Sequence, residues 1–364
     1  MNSTKETSQQ VASRTPIPLE LTELIIDEYH SDIHTLGECS LVCKYWMSIA
    51  RYHLFSDVKI SNPRSLHKFS GLLSSPLCTF SCFAKSLSVT DIKPEELNST
   101  FPKLTGFPEI TNITLRTTPL FMTFISPSSL DILCSFPHIT KLDLAADFQQ
   151  FSHFTETVSA FPKLEYLRAE IDFVNPASWD ISHRPSLHLH SLKVTCTTWE
   201  ILQWLLSLRP IPAIPNLDLY ASNNTDTDFV GKYLQSVGDK LKTFTLSYDV
   251  VDGLEHVYQN FNLAVNTTLQ SMTLNFDPMP PTLIEYLISQ LNSPDFRELK
   301  IENFHPGVGG WHHVDRRLSE IFSLRRFMIC SCIGRTSEEE IRAIFPRCND
   351  RGVLDVHYQR DDDL

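Results

Sequence analysis

The sequence predicts an α/β chain: a short N-terminal helical segment, then a solenoid in which parallel strands alternate with returning helices. Two observations carry that prediction. A hexapeptide of the form apolar-x-x-apolar-x-apolar recurs at a near-constant interval from Phe55 onward, and the stretches between copies show helical spacing of apolar residues. A third sets the N-terminal segment apart. Residues 15–55, "TPIPLELTELIIDEYHSDIHTLGECSLVCKYWMSIARYHLF", are dense in apolar residues yet fall outside the period.

Taken in order, residues 1–14 are polar, lack the apolar stretch of a signal peptide and are expected to be disordered. Residues 15–55 fit three helices. Pro18 suits a first helical position, and Leu21, Leu24, Ile25 and Tyr29 share one side. A second helix is expected from Ile33 to Leu41, with Ser31-Asp32 as its cap. A third is expected from Cys43 to His53, presenting Trp46, Ile49 and Ala50. About forty residues bury too little surface to be robust alone, so the unit must lean on the rest of the chain, a partner, or both.

Residues 56–357 are assigned to the solenoid. The copies read "FSDVKI" from Phe55, "AKSLSV" from Ala84, "ITNITL" from Ile110, "ITKLDL" from Ile139, "LEYLRA" from Leu164 and "LHSLKV" from Leu189. They continue as "IPNLDL" from Ile214, "LKTFTL" from Leu241, "LQSMTL" from Leu269, "FRELKI" from Phe296, "LRRFMI" from Leu324 and a degenerate "RGVLDV" from Arg351. The spacing stays between 25 and 29 residues. Eight residues after seven of the anchors stand Asp147, Asp172, Thr197, Ser222, Asp249, Asp277 and Cys332, short side chains suited to bonding the backbone as it leaves a strand.

Between strands, Trp199, Leu202, Leu205 and Leu206 form one apolar stripe, and Leu283, Tyr286, Leu287 and Leu291 another. Thr282-x-x-Glu285 and Ser337-x-x-Glu340 read as capping boxes. Phe101-Pro102, Phe136-Pro137 and Phe161-Pro162 precede strands: proline halts the helix and the phenylalanine plugs the gap between units.

Composition excludes several functions. Lys and Arg total 31 against 43 Asp and Glu, a net charge of −12, which disfavours broad nucleic-acid or anionic-membrane binding. No window approaches eighteen uninterrupted apolar residues, so no membrane span is expected. Nine scattered cysteines do not make a secreted disulfide scaffold, and a cytoplasmic or nuclear location is expected.

Chemistry-bearing motifs are weak. Cys39-x3-Cys43 and Cys78-x3-Cys82 lack partners at zinc spacing and read as packing pairs on a helix. Cys330-x-Cys332 reads as structural. "HPGVGGWHHVDRR", residues 305–317, lacks a phosphate-loop lysine and reads as a long rim loop whose adjacent His312 and His313 point different ways. No hydrolase or metalloprotease signature occurs. No catalytic residue, metal or cofactor is therefore expected, and residues 358–364, closing in "RDDDL", read as a solvated acidic tail.

Two resemblances sharpen the reading. The repeat interval and its short polar turn position resemble a divergent leucine-rich repeat. That resemblance implies a curved solenoid with parallel strands on the concave face and helices on the convex face. "IPLEL" (Ile17 to Leu21) and "LVCKYW" (Leu41 to Trp46), followed by "MSIARYHLF", resemble the two ends of an F-box, with Ile17 where the family usually has leucine. The segment looks especially like F-box proteins abundant in mushroom-forming fungi.

This resemblance implies docking on the Skp adaptor of a cullin–RING ubiquitin ligase through Pro18, Leu21, Ile25, Leu41, Val42 and Trp46. The repeats would then hold an unidentified protein substrate. The alternatives are a non-catalytic scaffold outside ubiquitylation and, further off, an enzyme with an unrecognised site. On the strands, residues flanking the apolar ones form the candidate substrate face, among them Tyr166, Arg168, Lys193, Asp218, Tyr220, Lys300 and Arg326. That face reads as charged at both ends with a Ser/Thr-rich middle.

Overall fold

The structure, a computed structural model, describes residues 18–75, 78–104, 106–118, 124–175, 183–249, 254–277, 280–332 and 336–359. The expected disordered N-terminus, Ile17 and tail residues 360–364 lie outside the described residues, as do the side chains of Asp249, Asp277 and Cys332; Tyr358 and Gln359, expected to begin the tail, instead end the last strand.

Three helices open the chain: α1 (Leu19–Glu28), α2 (Ile33–Cys39) and α3 (Lys44–Ser56). Strands and helices then alternate as β1 (Asp57–Ile60), α4 (Pro63–Leu73), β2 (Ser86–Ile92), α5 (Pro94–Thr100), β3 (Asn112–Thr117), α6 (Pro127–Cys134), β4 (Lys141–Ala145), β5 (Phe148–Gln150), α7 (Phe151–Ser159), β6 (Tyr166–Glu170) and β7 (Phe173–Asn175). The second half runs β8 (Ser191–Val194), α8 (Thr198–Ser207), β9 (Asn216–Ala221), α9 (Asn224–Val237), β10 (Thr243–Asp249), α10 (Leu254–Asn260), β11 (Ser271–Asp277), α11 (Pro281–Ser289), β12 (Glu298–Glu302), α12 (Trp311–Glu320), β13 (Arg326–Cys332), α13 (Glu338–Ile344), α14 (Pro346–Asp350) and β14 (Leu354–Gln359).

Twelve of the strands form one parallel sheet in chain order, and β5 and β7 pair separately beside it. Each hexad leads into a strand of the large sheet, its first two or three residues preceding the strand. The fourth hexad residue sets the register: Val58, Leu87, Ile113, Leu142, Leu167, Leu192, Leu217, Phe244, Met272, Leu299, Phe327 and Leu354 align Cα to Cα across the whole sheet. All twelve are buried, because period-2 alternation turns them toward the helices while their neighbours face out. One continuous core runs from Val58 to Leu354, and a separate small core holds Ile26, Leu36 and Ala50.

The helix starts follow local chemistry. Asn62, Ser126, Asn223 and Ser337 cap α4, α6, α9 and α13 through their side chains, and proline opens α4, α5, α6, α11 and α14. Phe101, Phe136 and Phe161 are buried just past a helix end. In the first and third, a tight turn returns Leu104 N–H to Phe101 O and Leu164 N–H to Phe161 O.

Several expectations are corrected. In α8 the buried stripe is Ile201, Leu202, Trp204 and Leu205, whereas Trp199 and Leu206 are only half-buried. Trp204 packs on Phe151 and Phe154 and donates its indole N–H to His183 O at 2.9 Å, a partner lying in the preceding unit. Ser337 and Glu340 make a reciprocal capping box, but Thr282 does not. Pro280 is the N-cap and Pro281 starts α11, two residues earlier than a Thr282 cap would set, and Thr282 accepts from the Tyr258 hydroxyl instead.

Residues 311–317 are not a rim loop: they open α12, which buries Trp311, Val314, Asp315 and Leu318. The aromatic contacts of Trp311 with Phe304 and Phe345 pull this segment into the core. His312 and His313 do not diverge; their rings lie 4.0 Å apart. Nor do the early cysteine pairs share helices. Cys39 ends α2 while the exposed Cys43 stands just before α3 with no side-chain capping bond, and Cys78 and Cys82 stand in irregular chain.

Candidate docking surfaces

The helices α1–α3 are held by few residues. Ile26, Leu36 and Ala50 are fully buried, with Cys39, Trp46, Ile49 and Leu54 packed around them. Pro18 stands at the N-cap of α1, one position before the expected one, and its carbonyl accepts from Leu21 and Thr22 N–H. Asp32 caps α2 by accepting from His34 N–H at 3.0 Å, Thr35 N–H at 3.1 Å and the Thr35 hydroxyl at 2.6 Å. The Thr35 hydroxyl holds the Asp32 carboxyl below the usual carboxylate range.

Two cross-helix bonds tie α3 to α1. The Tyr45 hydroxyl donates to Glu23 Oε1 at 2.5 Å, which pushes Tyr45 up to about 12, and His53 Nε2 meets Asp27 Oδ1 at 2.7 Å. The unit is also joined to the first strands. Phe55 stacks on Phe80 with ring centroids 4.7 Å apart, Arg51 donates to the Thr79 hydroxyl, and Lys85 N–H donates to Ser56 O.

The apolar stripe of α1 does not face this core. Thr22 and Ile26 are its buried positions, whereas Leu21, Leu24, Ile25 and Tyr29 are exposed. Leu41 is 86% exposed and Val42 60% exposed in the turn between α2 and α3. Of the expected set, Pro18, Leu21, Ile25, Leu41 and Val42 are therefore outside, while Trp46 is half-buried and supports the small core. Ile33, 75% exposed directly after the Asp32 cap, was not among them; an isoleucine at a first helical position, which points outward, was the available signal. Nine of the fifteen exposed large apolar side chains among the described residues fall between Leu19 and Tyr52. Monomer surfaces rarely concentrate them so.

The open sheet face is polar and largely self-neutralised. Strand pairing brings Tyr166, Arg168, Lys193, Asp218, Tyr220, Lys300 and Arg326 onto it, but most of its charges are engaged with each other. Arg116 meets Asp143 at 2.8 Å, Arg168 meets Glu170 at 3.3 Å, Lys193 meets Asp218 at 2.7 Å and Lys300 meets Glu302 at 2.6 Å. Arg326 meets Asp355 at 2.6 Å and lies 3.9 Å from Glu298. Between these pairs run Thr243, Thr245, Ser247, Ser271, Thr273 and Asn275.

Beyond the strand ends, Thr117, Ala145, Ala146, Asp147, Glu170, Ile171, Asp172 and Cys196 line a pocket of about 150 Å³. Burial, then the neighbouring Asp172, pushes the Asp147 carboxyl up; burial, then Asp172, does the same to the Cys196 thiol. A thiol so placed is held protonated rather than activated. The polar-turn positions behave unequally. Thr197 donates to Ile171 O at 3.0 Å, whereas Ser222 bonds the Asp226 side chain.

Among the described residues no group of three or more His, Cys, Asp or Glu is placed to hold a metal ion, and no helix is long and apolar enough to cross a membrane. No protein-family model matches the chain, and no curated protein matches it.

Proposed function

We propose that the chain is a substrate-recognition subunit of a cullin–RING ubiquitin ligase. In this reading α1–α3 are an F-box that docks on a Skp-type adaptor. The sheet and its helices are a curved, divergent leucine-rich-repeat solenoid that holds the protein to be modified, in the cytoplasm or nucleus. The chain does no chemistry itself; it raises the target's effective concentration at the ligase.

One observation carries the reading: α1 hides Thr22 and Ile26 but leaves Leu21, Leu24 and Ile25 in solvent, and Ile33, Leu41 and Val42 of the same helical unit are exposed as well. A helical unit that spends its apolar side chains outward requires another helical protein to cover them.

The test is co-purification of the full chain with a fungal Skp homologue. Wild type should form a stable complex, and Leu21→Asp with Ile25→Asp should lose it while keeping the native circular dichroism. Failure of the wild type to bind, or undiminished binding by the double variant, overturns the proposal. Ligase function is separated from scaffolding by a bound protein whose lifetime lengthens when this chain is deleted.

A further inference from the structure

We propose that β14 is a homodimerisation edge, pairing antiparallel with β14 of a second copy about a two-fold axis. This stands independently of the adaptor reading, because β14 lies at the opposite end of the sheet from α1–α3.

Geometry fixes which backbone groups are available. β14 pairs with β13 over six consecutive residues without a register shift, and among the described residues nothing pairs on its other side. Phe327 N–H donates to Val353 O at 2.7 Å. Alternation along a strand then sends the N–H and C=O of Asp355 and His357 toward β13. Those of Leu354, Val356 and Tyr358 point to the open side. Edges are commonly guarded by lysine, proline, a bulge or shortness. The opposite edge, β1, has four residues, carries Lys59 and follows directly from α3. The sequence of β14, "LDVHYQ", has no lysine, proline or bulge, and its one carboxylate, Asp355, is already engaged by Arg326 and His357.

The strand is complementary to itself in one register. Centred on Val356, an antiparallel pair sets Val356 against Val356 and Leu354 against Tyr358. All of these are hydrogen-bonded positions that use the outward groups. The intervening, closer positions set Asp355 against His357 of the second copy, twice. A shift by one residue would oppose outward groups to inward ones and lose the bonds. The apolar row Leu354, Val356 and Tyr358 continues on the helix side, and the Asp–His pairs lie on the open face. Asp355 is already flanked by Arg326 at 2.6 Å and its own His357 at 3.1 Å, which hold its carboxyl below the usual range and keep it anionic toward a second imidazole. A single strand pair buries less than a standard interface, so the dimer is concentration-dependent rather than obligate.

Sedimentation velocity of the full chain across a wide concentration range tests this. Wild type should pass from monomer to dimer. Val356→Pro removes an outward N–H without touching the β13 ladder, and should stay monomeric at every concentration. His357→Asp, which sets like charges opposite each other twice, should raise the dissociation constant roughly tenfold and decides the matter if the proline variant misfolds. A wild type that remains monomeric throughout, or a dimer indifferent to the variants that fold, overturns the proposal.

Discussion

Asp226, in the first turn of α9, accepts the Trp199 N–H of the preceding helix α8 at 3.0 Å. The same buried carboxylate accepts from Ser222 N–H, the Ser222 hydroxyl and Asn223 Nδ2, so one side chain closes its own loop and caps its neighbour. Asp315 of α12 repeats the device in the other direction along the chain, accepting Arg347 and Cys348 N–H at the start of α14. Asp226→Ala leaves buried donors without an acceptor. It should cost about 2–4 kcal/mol in urea unfolding, more than an ordinary surface aspartate.

Two adjacent isoleucines should behave oppositely. Ile26 is fully buried and Ile25 is 44% exposed. Ile26→Ala should lower amide-exchange protection across α1–α3 by about 2–3 kcal/mol, while Ile25→Ala should change it by less than about 0.5 kcal/mol. Equal effects would mean that α1 is rotated relative to this structure.

Glu200 supplies a pH dependence. Its carboxyl is buried and Oε2 accepts no hydrogen bond; burial above all, then Asp226 and Asp172, pushes its pKa up to about 7 from an ordinary 4.5. A folded pKa above the unfolded one means that the folded state binds more protons between these values. The contribution is therefore fully present below about pH 4.5 and is lost as the pH rises through about 7. Glu200→Gln should match wild type near pH 5 and exceed it near pH 8 by on the order of 1–2 kcal/mol, read from urea midpoints at both pH values.

Gly231 sits inside α9, where alanine would ordinarily stabilise a helix. A Cβ there would meet the Asn260 carbonyl oxygen at 2.5 Å, a backbone group that cannot rotate aside. Gly231→Ala should thus destabilise by on the order of 1–3 kcal/mol, checked by thermal unfolding. A rise in melting temperature would contradict the close approach of α9 and α10.

The strands were legible because their signal is local: each hexad carries its own period-2 alternation, and equal spacing aligns one hexad with the next. Helices with a local start signal were legible for the same reason, as with the Asp32 cap of α2, whereas α12, which opens at Trp311 with no side-chain cap, read as a loop. Choices between similar residues were not. Trp199 and Trp204 both fit an apolar stripe, and only the Phe151–Phe154 cluster, some fifty residues earlier, selects Trp204. The Asp226 and Asp315 caps were missed because their acceptor role depends on donors in another unit; a polar Ser222-Asn223 opening three residues before an aspartate was the only trace.

By itself, then, the sequence determined the alternation of strand and helix, the parallel register and the separateness of the first helical unit, since all three follow from periodicity along the chain. The tertiary structure decided which face of α1 is hidden and how the charges of the sheet face are spent. Ile26 is buried because Leu36 and Ala50 arrive from other helices, and Lys193 is neutralised because parallel pairing places Asp218, 25 residues on, at its side. Those contacts depend on chain returns that no local pattern encodes, and they separate the side chains free to meet a partner from those already engaged.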